Sequence, residues 1–189
     1  MMLLKSTPLC LGLAATFTRT ALLCMALAAA PSLVIAQTDT AQARQVFTDV
    51  NQALPRMQKV AFSSQRPGAN YPAEGKAWVQ SGKVRKIEIV ERDDSGDVVS
   101  EFYYDNANLI FVFEMVKGFA DAGNAPRQVA VSEERYYYRD GKLFKWLSGM
   151  GKDKTENLPS NAEFAVAAQS RLAASAAFKS AALKALAAK

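Results

Sequence analysis

With 189 residues, a formal charge of +5, two cysteines and no histidine, the chain excludes several kinds of chemistry at once. The missing histidines, with Cys10 and Cys24 both near the N-terminus, leave no usual side-chain set for zinc, copper or haem, for thiol catalysis or for Ser-His-Asp hydrolysis. Neither a P-loop nor a G-x-G-x-x-G fingerprint occurs.

The first acidic residue is Asp39, and before it Lys5 and Arg19 precede the apolar run ALLCMALAAA at 21–30. Pro31 and the small-residue ending Val34-Ile35-Ala36 follow. A basic stretch, an apolar stretch too short to span a bilayer and an A-x-A-like ending predict a signal peptide over 1–36, cleaved after Ala36. Both cysteines would leave with it, giving a cysteine-free chain in the periplasm or outside the cell. Each cysteine follows a leucine (Leu9, Leu23), where a lipoprotein signal has a small residue, so the expected product is soluble and not a lipoprotein. Residues 37–189 have the size of one ordinary domain.

Asp39 or Thr40 can cap a helix whose apolar residues Ala43, Val46, Phe47, Val50 and Leu54 share one face of a 3.6-residue period. Pro55 ends it at Leu54 or just before. Residues 57–62 have the composition of a short strand, and Pro67, Gly68, Asn70 and Pro72 mark a loop. From Lys76 the period becomes two: strands over 76–80 and 83–91 flank the turn Ser81-Gly82. Further strands follow over 98–104, 109–117, 129–138 and 142–148, with a long loop at 118–128 and a hairpin turn at Asp140-Gly141. A polar linker at 149–159 leads to an Ala-rich amphipathic helix over 160–189, opened by the Ser160/Glu163 capping box. Its stripe of Phe164, Ala168, Leu172, Phe178, Ala182, Leu183 and Leu186 is interrupted by Arg171 and Lys179. The expected fold is α+β, an antiparallel meander of about six strands between an N-terminal and a C-terminal helix, with 37–148 as the sheet domain.

The two hairpins at 101–113 (EFYYDNANLIFVF) and 135–147 (RYYYRDGKLFKWL) are copies offset by 34 positions. A four-residue turn at 105–108 would place Ser100, Phe102, Tyr104, Leu109, Phe111 and Phe113 on one face, with Tyr136, Tyr138, Leu143, Lys145 and Leu147. That face is expected to pack on the N-terminal helix. The other face would carry Tyr103, Ile110, Val112, Tyr137, Phe144 and Trp146, with Arg135 across from Trp146 for a cation–π contact. A solvent face should alternate to polar residues, and this one does so only by half. Either the C-terminal helix covers it, or it is the candidate binding face for another protein or a ligand.

Carboxylate chemistry survives the exclusions, because Glu88, Glu101 and Glu114 lie on strands. Nothing marks a coupled pair among them, and pairing with Lys86, Arg85 or Arg135 is the simpler reading. Asp93, Asp94 and Asp97 cluster in a turn, but an EF-hand loop from Asp93 would need Gly and Glu where Val98 and Tyr104 stand. They are read as turn formers, and no metal or cofactor is expected. The positive charge belongs to the tail, where Arg171, Lys179, Lys184 and Lys189 face Glu163 alone. Those cations gather toward the helix C-terminus, which the macrodipole favours, so docking on membrane or cell wall is not needed to explain them. A neutral sheet domain disfavours nucleic acid.

The segments FYYDNANLIFVF (102–113) and RYYYRDGKLFKW (135–146), preceded by KAWVQSGKVRKIEIVE (76–91), resemble a group of small exported bacterial proteins. Those pair a YY-x-(N/D)-x-(K/N)-L-(I/F)-F hairpin with an RYY-x-(N/D)-G-K-L-x-x-W hairpin. The Y-Y-x-x-G-K-L element also resembles MORN-like hairpin repeats, without their short glycine-punctuated period. The first resemblance implies an exported β-meander and carries over no site residue. The expected function is a non-enzymatic binding domain, an accessory or inhibitor protein of the cell envelope, for an envelope protein or a small ligand. A carboxylate-based cell-wall glycan hydrolase is the alternative.

Overall fold

The computed structural model describes residues 40–93, 96–122 and 125–189. Helix α1 (Ala41–Ala53) ends in a 3-10 turn at Leu54–Arg56, where Pro55 stands. Eight strands follow: β1 (Gln58–Ser64), β2 (Ala73–Gln80), β3 (Lys83–Asp93), β4 (Gly96–Asp105), β5 (Asn108–Ala122), β6 (Ala125–Arg139), β7 (Lys142–Met150) and β8 (Asp153–Asn157). Helix α2 (Ala162–Ala187) closes the chain. The strands form one antiparallel sheet in the order of the sequence, so every connection joins neighbours. The architecture is α+β with a helix on each face.

Two segments expected to be irregular are strand. The expected loop at 118–128 continues the β5–β6 ladder from Gly118↔Val129 to Ala122↔Ala125. The expected linker at 149–159 supplies the end of β7 and all of β8, with register Trp146↔Asn157 to Met150↔Asp153. Both are polar or glycine-containing, and cross-strand pairing overrides that weak local preference. The short strand read at 57–62 is β1. The α2 cap also shifts by one residue, since the Asn161 side chain, not Ser160, accepts from the Glu163 amide. Residues 1–36, Asp39 and Asp94 lie outside the described residues, as does the Asp93 side chain, so the signal peptide, both cysteines and the aspartate turn lie there too.

A single hairpin design occurs three times. The turns Ser81-Gly82, Asn106-Ala107 and Asp140-Gly141 each have both residues at positive φ, which matches the right-handed twist of the strands they join. Just beyond each turn one residue is left out of the pairing. Trp78 pairs with Lys86 and Val79 with Val84, leaving out Arg85. Tyr103 pairs with Phe111 and Tyr104 with Leu109, leaving out Ile110. Tyr137 pairs with Lys145 and Tyr138 with Leu143, leaving out Phe144. Each is a bulge that keeps the leucine or valine after the turn on one face and shifts everything beyond it by one position.

That shift corrects the expected faces. The turn is two residues long and the bulge follows, so Tyr104 does oppose Leu109, but Phe102 opposes Val112 and Ser100 opposes Glu114. The face with Phe102, Tyr104, Val112, Tyr136, Tyr138 and Leu143 packs against α2, through Ala167, Ala174, Phe178 and Ala182. The face with Tyr103, Ile110, Phe111 and Tyr137 packs against α1, through Ala43, Val46 and Val50. The two helices are thus exchanged relative to the expectation. Val112 and Trp146 leave the expected binding face for the α2 side, where the Trp146 ring stacks on Tyr136 at 5.4 Å and meets Phe164 at 6.3 Å. Arg135 pairs with Leu147, not Trp146, and its guanidinium lies over Phe113 at 5.6 Å.

Alanines at the buried positions of α2 let its backbone approach the sheet, while Phe178 fills the interval to Phe102, with ring centroids 5.7 Å apart. Burying a phenylalanine this fully stabilises the fold by about 1.5–3 kcal/mol. Arg171 and Lys179, which break the apolar stripe of α2 in sequence, both reach the sheet. Arg171 Nη2 lies 2.6 Å from Glu114 Oε2, and Lys179 Nζ donates to the Ala107 carbonyl at 2.8 Å.

Candidate functional site

The α1 face of the sheet is built from two rows of cross-strand neighbours. One runs Trp78, Lys86, Tyr103, Phe111, Tyr137, Lys145, and the next Lys76, Glu88, Glu101, Phe113, Arg135, Leu147. Helix α1 is 13 residues long and covers only part of this surface. Its Val46 and Val50 are buried, while Phe47 stays 40% exposed, with its ring 5.2 Å from Tyr103 and 6.2 Å from Phe111. Beside the helix opens a cleft of about 450 Å³ lined by Ala43, Arg44, Phe47, Thr48, Glu101, Phe111, Phe113, Arg135 and Tyr137. That volume suits a small organic ligand.

Its aromatic wall is continuous: Phe111 lies 5.8 Å from Tyr103 and 5.0 Å from Tyr137, which lies 6.3 Å from Phe144. At one end the polar groups are tied to one another. Lys86, only 4% exposed, donates to Glu101 at 2.7 Å, and the Tyr103 hydroxyl donates to the other Glu101 oxygen at 2.6 Å. Asn51 of α1 donates to the Tyr103 hydroxyl at 3.2 Å. Burial, then the Glu101 charge, holds the Tyr103 phenol far above its ordinary range, so it remains a donor to that carboxylate.

At the other end the field is positive. Burial raises the Tyr137 phenol, while the charges of Arg135, Arg44 and Lys145 act to lower it. Arg135 donates to Glu133 at 2.8 Å and Lys145 pairs with Glu156 at 3.1 Å. Arg44 donates to its own helix cap, Thr40 Oγ1, at 3.0 Å. Among the described residues no carboxylate lies within ion-pair distance of Arg44.

Of the seven residues expected to form a binding face, Tyr103, Ile110, Arg135, Tyr137 and Phe144 are on the α1 face, and only Arg135 and Tyr137 line the cleft. Sequence reasoning missed Arg44, Phe47, Phe111 and Phe113. The two strand phenylalanines were assigned to the other face by the turn length, and Phe47 reads as core because its helical spacing fits.

A second cleft, of about 480 Å³, opens on the α2 side at the end of the row Ser100, Glu114, Glu134, Ser148. Glu114 and Glu134 line it with Arg66, Tyr71, Glu91, Arg92, Val98, Val116 and Arg171, beside the loop residues Gly68, Ala69 and Asn70. Here the carboxylates are already engaged. Arg66 forks onto both Glu91 oxygens, and Glu114 lies between Arg171 at 2.6 Å and Arg66 at 3.5 Å. Glu134 accepts from Trp146 Nε1 at 2.5 Å, from Ser148 at 2.7 Å and from Ser132 at 3.2 Å. The three strand carboxylates singled out in the sequence do not converge: Glu88 and Glu101 are neighbours on the α1 face, and Glu114 is on the other.

Among the described residues no helix is long and apolar enough to cross a membrane. No family model, curated protein or solved structure matches the chain.

Proposed function

We propose that the chain is a non-enzymatic binding domain of the cell envelope whose ligand lies in the cleft between α1 and the sheet. The observation that carries this reading is the cleft beside α1, whose lining includes the exposed Phe47 and the rings of Phe111, Phe113 and Tyr137. An apolar concave surface with a few polar groups at its margin is the usual form of a small-ligand site. The glycan-hydrolase alternative has less support. A general acid must present its proton to substrate, and Glu88 accepts from Lys76, Glu101 from Lys86 and Tyr103, and Glu114 from Arg171.

The reading is tested by ligand-observed NMR with a small set of naphthalene, indole and alkyl compounds, run on the protein and on Phe47→Glu. Phe47 is exposed, so the charge is tolerated by the fold but placed in the cleft. Binding of at least one compound that is lost in Phe47→Glu supports the cleft. If the variant binds as well as the parent, or the parent binds nothing, the reading is wrong.

A further inference from the structure

Resting on that reading of the cleft, we infer that its ligand is an aromatic carboxylate, its ring against Phe47, Phe111 and Phe113 and its anionic group between Arg44 and Arg135. Two independent features of the cleft lead there.

The first is the charge layout. Glu101, the one carboxylate in the lining among the described residues, has both of its oxygens occupied by Lys86 and Tyr103. At the cationic end Arg135 is paired with Glu133, while among the described residues Arg44 has no carboxylate within ion-pair distance. Arg44 comes from α1 and Arg135 from β6, so the two guanidinium groups approach the cleft from the helix and from the sheet. Both line the same cleft as Tyr137. A guanidinium has five N–H donors, and Arg135 sends one Nη2 bond to Glu133 and Arg44 one to Thr40. The remaining fork of each suits a planar oxyanion, and arginine matches carboxylate geometry better than a point charge does.

The second is the chemistry of the wall. Four of the nine lining residues are aromatic, and Phe111 meets Phe47 edge-on at 6.2 Å and Tyr137 in tilted geometry at 5.0 Å. Such surfaces favour another ring over an alkyl chain of equal area, because ring edges and faces carry opposite partial charge. The Arg135 guanidinium already lies over Phe113, so a ligand ring beside it continues that cation–π arrangement.

The test is isothermal titration of the intact protein with 2-naphthoate, 2-naphthylmethanol and decanoate at low salt. The expected result is 2-naphthoate binding about tenfold more tightly than the neutral alcohol, as charge-assisted contacts predict, and more tightly than decanoate. Arg44→Gln and Arg135→Gln should each shrink the acid–alcohol gap to about threefold or less, the acid losing more affinity than the alcohol. Because Arg44 is an exposed helix residue, its substitution keeps the test open even where Arg135→Gln perturbs the sheet. Equal binding of acid and alcohol would overturn the anion site and leave the cleft standing. Equal binding of naphthoate and decanoate would overturn the aromatic preference, as a preference unmoved by either arginine change would overturn the placement. Absence of all binding would remove both this inference and the cleft.

Discussion

Ile110 and Phe144, 34 positions apart in sequence, occupy the same place in two hairpins: each is the unpaired residue of the bulge that follows a two-residue turn. Both side chains join the cluster beneath α1. Arg85 holds the equivalent place in the first hairpin. The bulge decides which aromatic residues face which helix, and so determines that Phe111 and Phe113 stand beside α1 as the wall of a cleft.

The three turns differ in one respect that can be measured. Gly82 and Gly141 hold φ of 73°, where glycine meets no Cβ penalty, but Ala107 holds the same φ of 73° with a side chain. A left-handed alanine costs about 1–2 kcal/mol. Ala107→Gly is therefore expected to stabilise the protein by about 1 kcal/mol, part of the relief being offset by the greater entropy of an unfolded glycine. Urea denaturation monitored by circular dichroism would show it as a raised midpoint at unchanged slope.

Much of the fold was legible before any coordinates. The helix at 41–53 showed in the spacing of Ala43, Val46 and Val50, and the hairpins showed in Asp140-Gly141 and the repeated Tyr-Tyr pairs. The faces were not legible, because a bulge has no local signature in Ile110 or Phe144, and a one-residue shift reverses every side chain beyond it. Nor were β8 and the outer ends of β5 and β6, since residues such as Lys154, Thr155 and Gly118 become strand only through their neighbours. For the site, Tyr137 and Arg135 were visible as an aromatic and a cation on one face. Arg44 was not, because a cation on the polar side of an amphipathic helix is ordinary until the sheet beneath it is known.

Among the contacts that hold α2, Phe178 is apolar and Arg171 ionic, and the two should respond differently. Phe178 is fully buried, so Phe178→Ala is expected to cost about 3–5 kcal/mol. Arg171→Leu would leave Glu114, 4% exposed, with the more distant Arg66 at 3.5 Å and the Ser100 hydroxyl at 3.4 Å. Breaking a buried pair costs about 3–5 kcal/mol; here, with the arginine side chain 21% exposed, about 2–4 kcal/mol is expected. Replacing both partners, Arg171→Leu with Glu114→Leu, should recover part of that loss. Denaturation midpoints of the single and double variants check the comparison.

Alkaline pH should unfold the protein through its tyrosines. Burial raises the phenols of Tyr103, Tyr104, Tyr136, Tyr137 and Tyr138 above the ordinary value of 10.0. Above pH 10 the unfolded chain loses these protons and the folded one keeps them, so the unfolded state binds fewer protons and stability falls as pH rises. Below pH 10 this contribution is fully present and constant. Absorbance at 295 nm is expected to show the five buried phenols ionising in one cooperative rise, together with loss of the circular dichroism signal.

The most direct test of the account is an amide-correlation NMR titration of the isotopically labelled protein with 2-naphthoate. The account predicts saturable shifts concentrated at Ala43, Phe47, Thr48, Phe111, Phe113, Arg135 and Tyr137, with the α2 side, from Phe164 to Ala182, unmoved. Shifts centred instead on Tyr71, Val98 and Val116 of the second cleft, or no saturable shift at all, would contradict it.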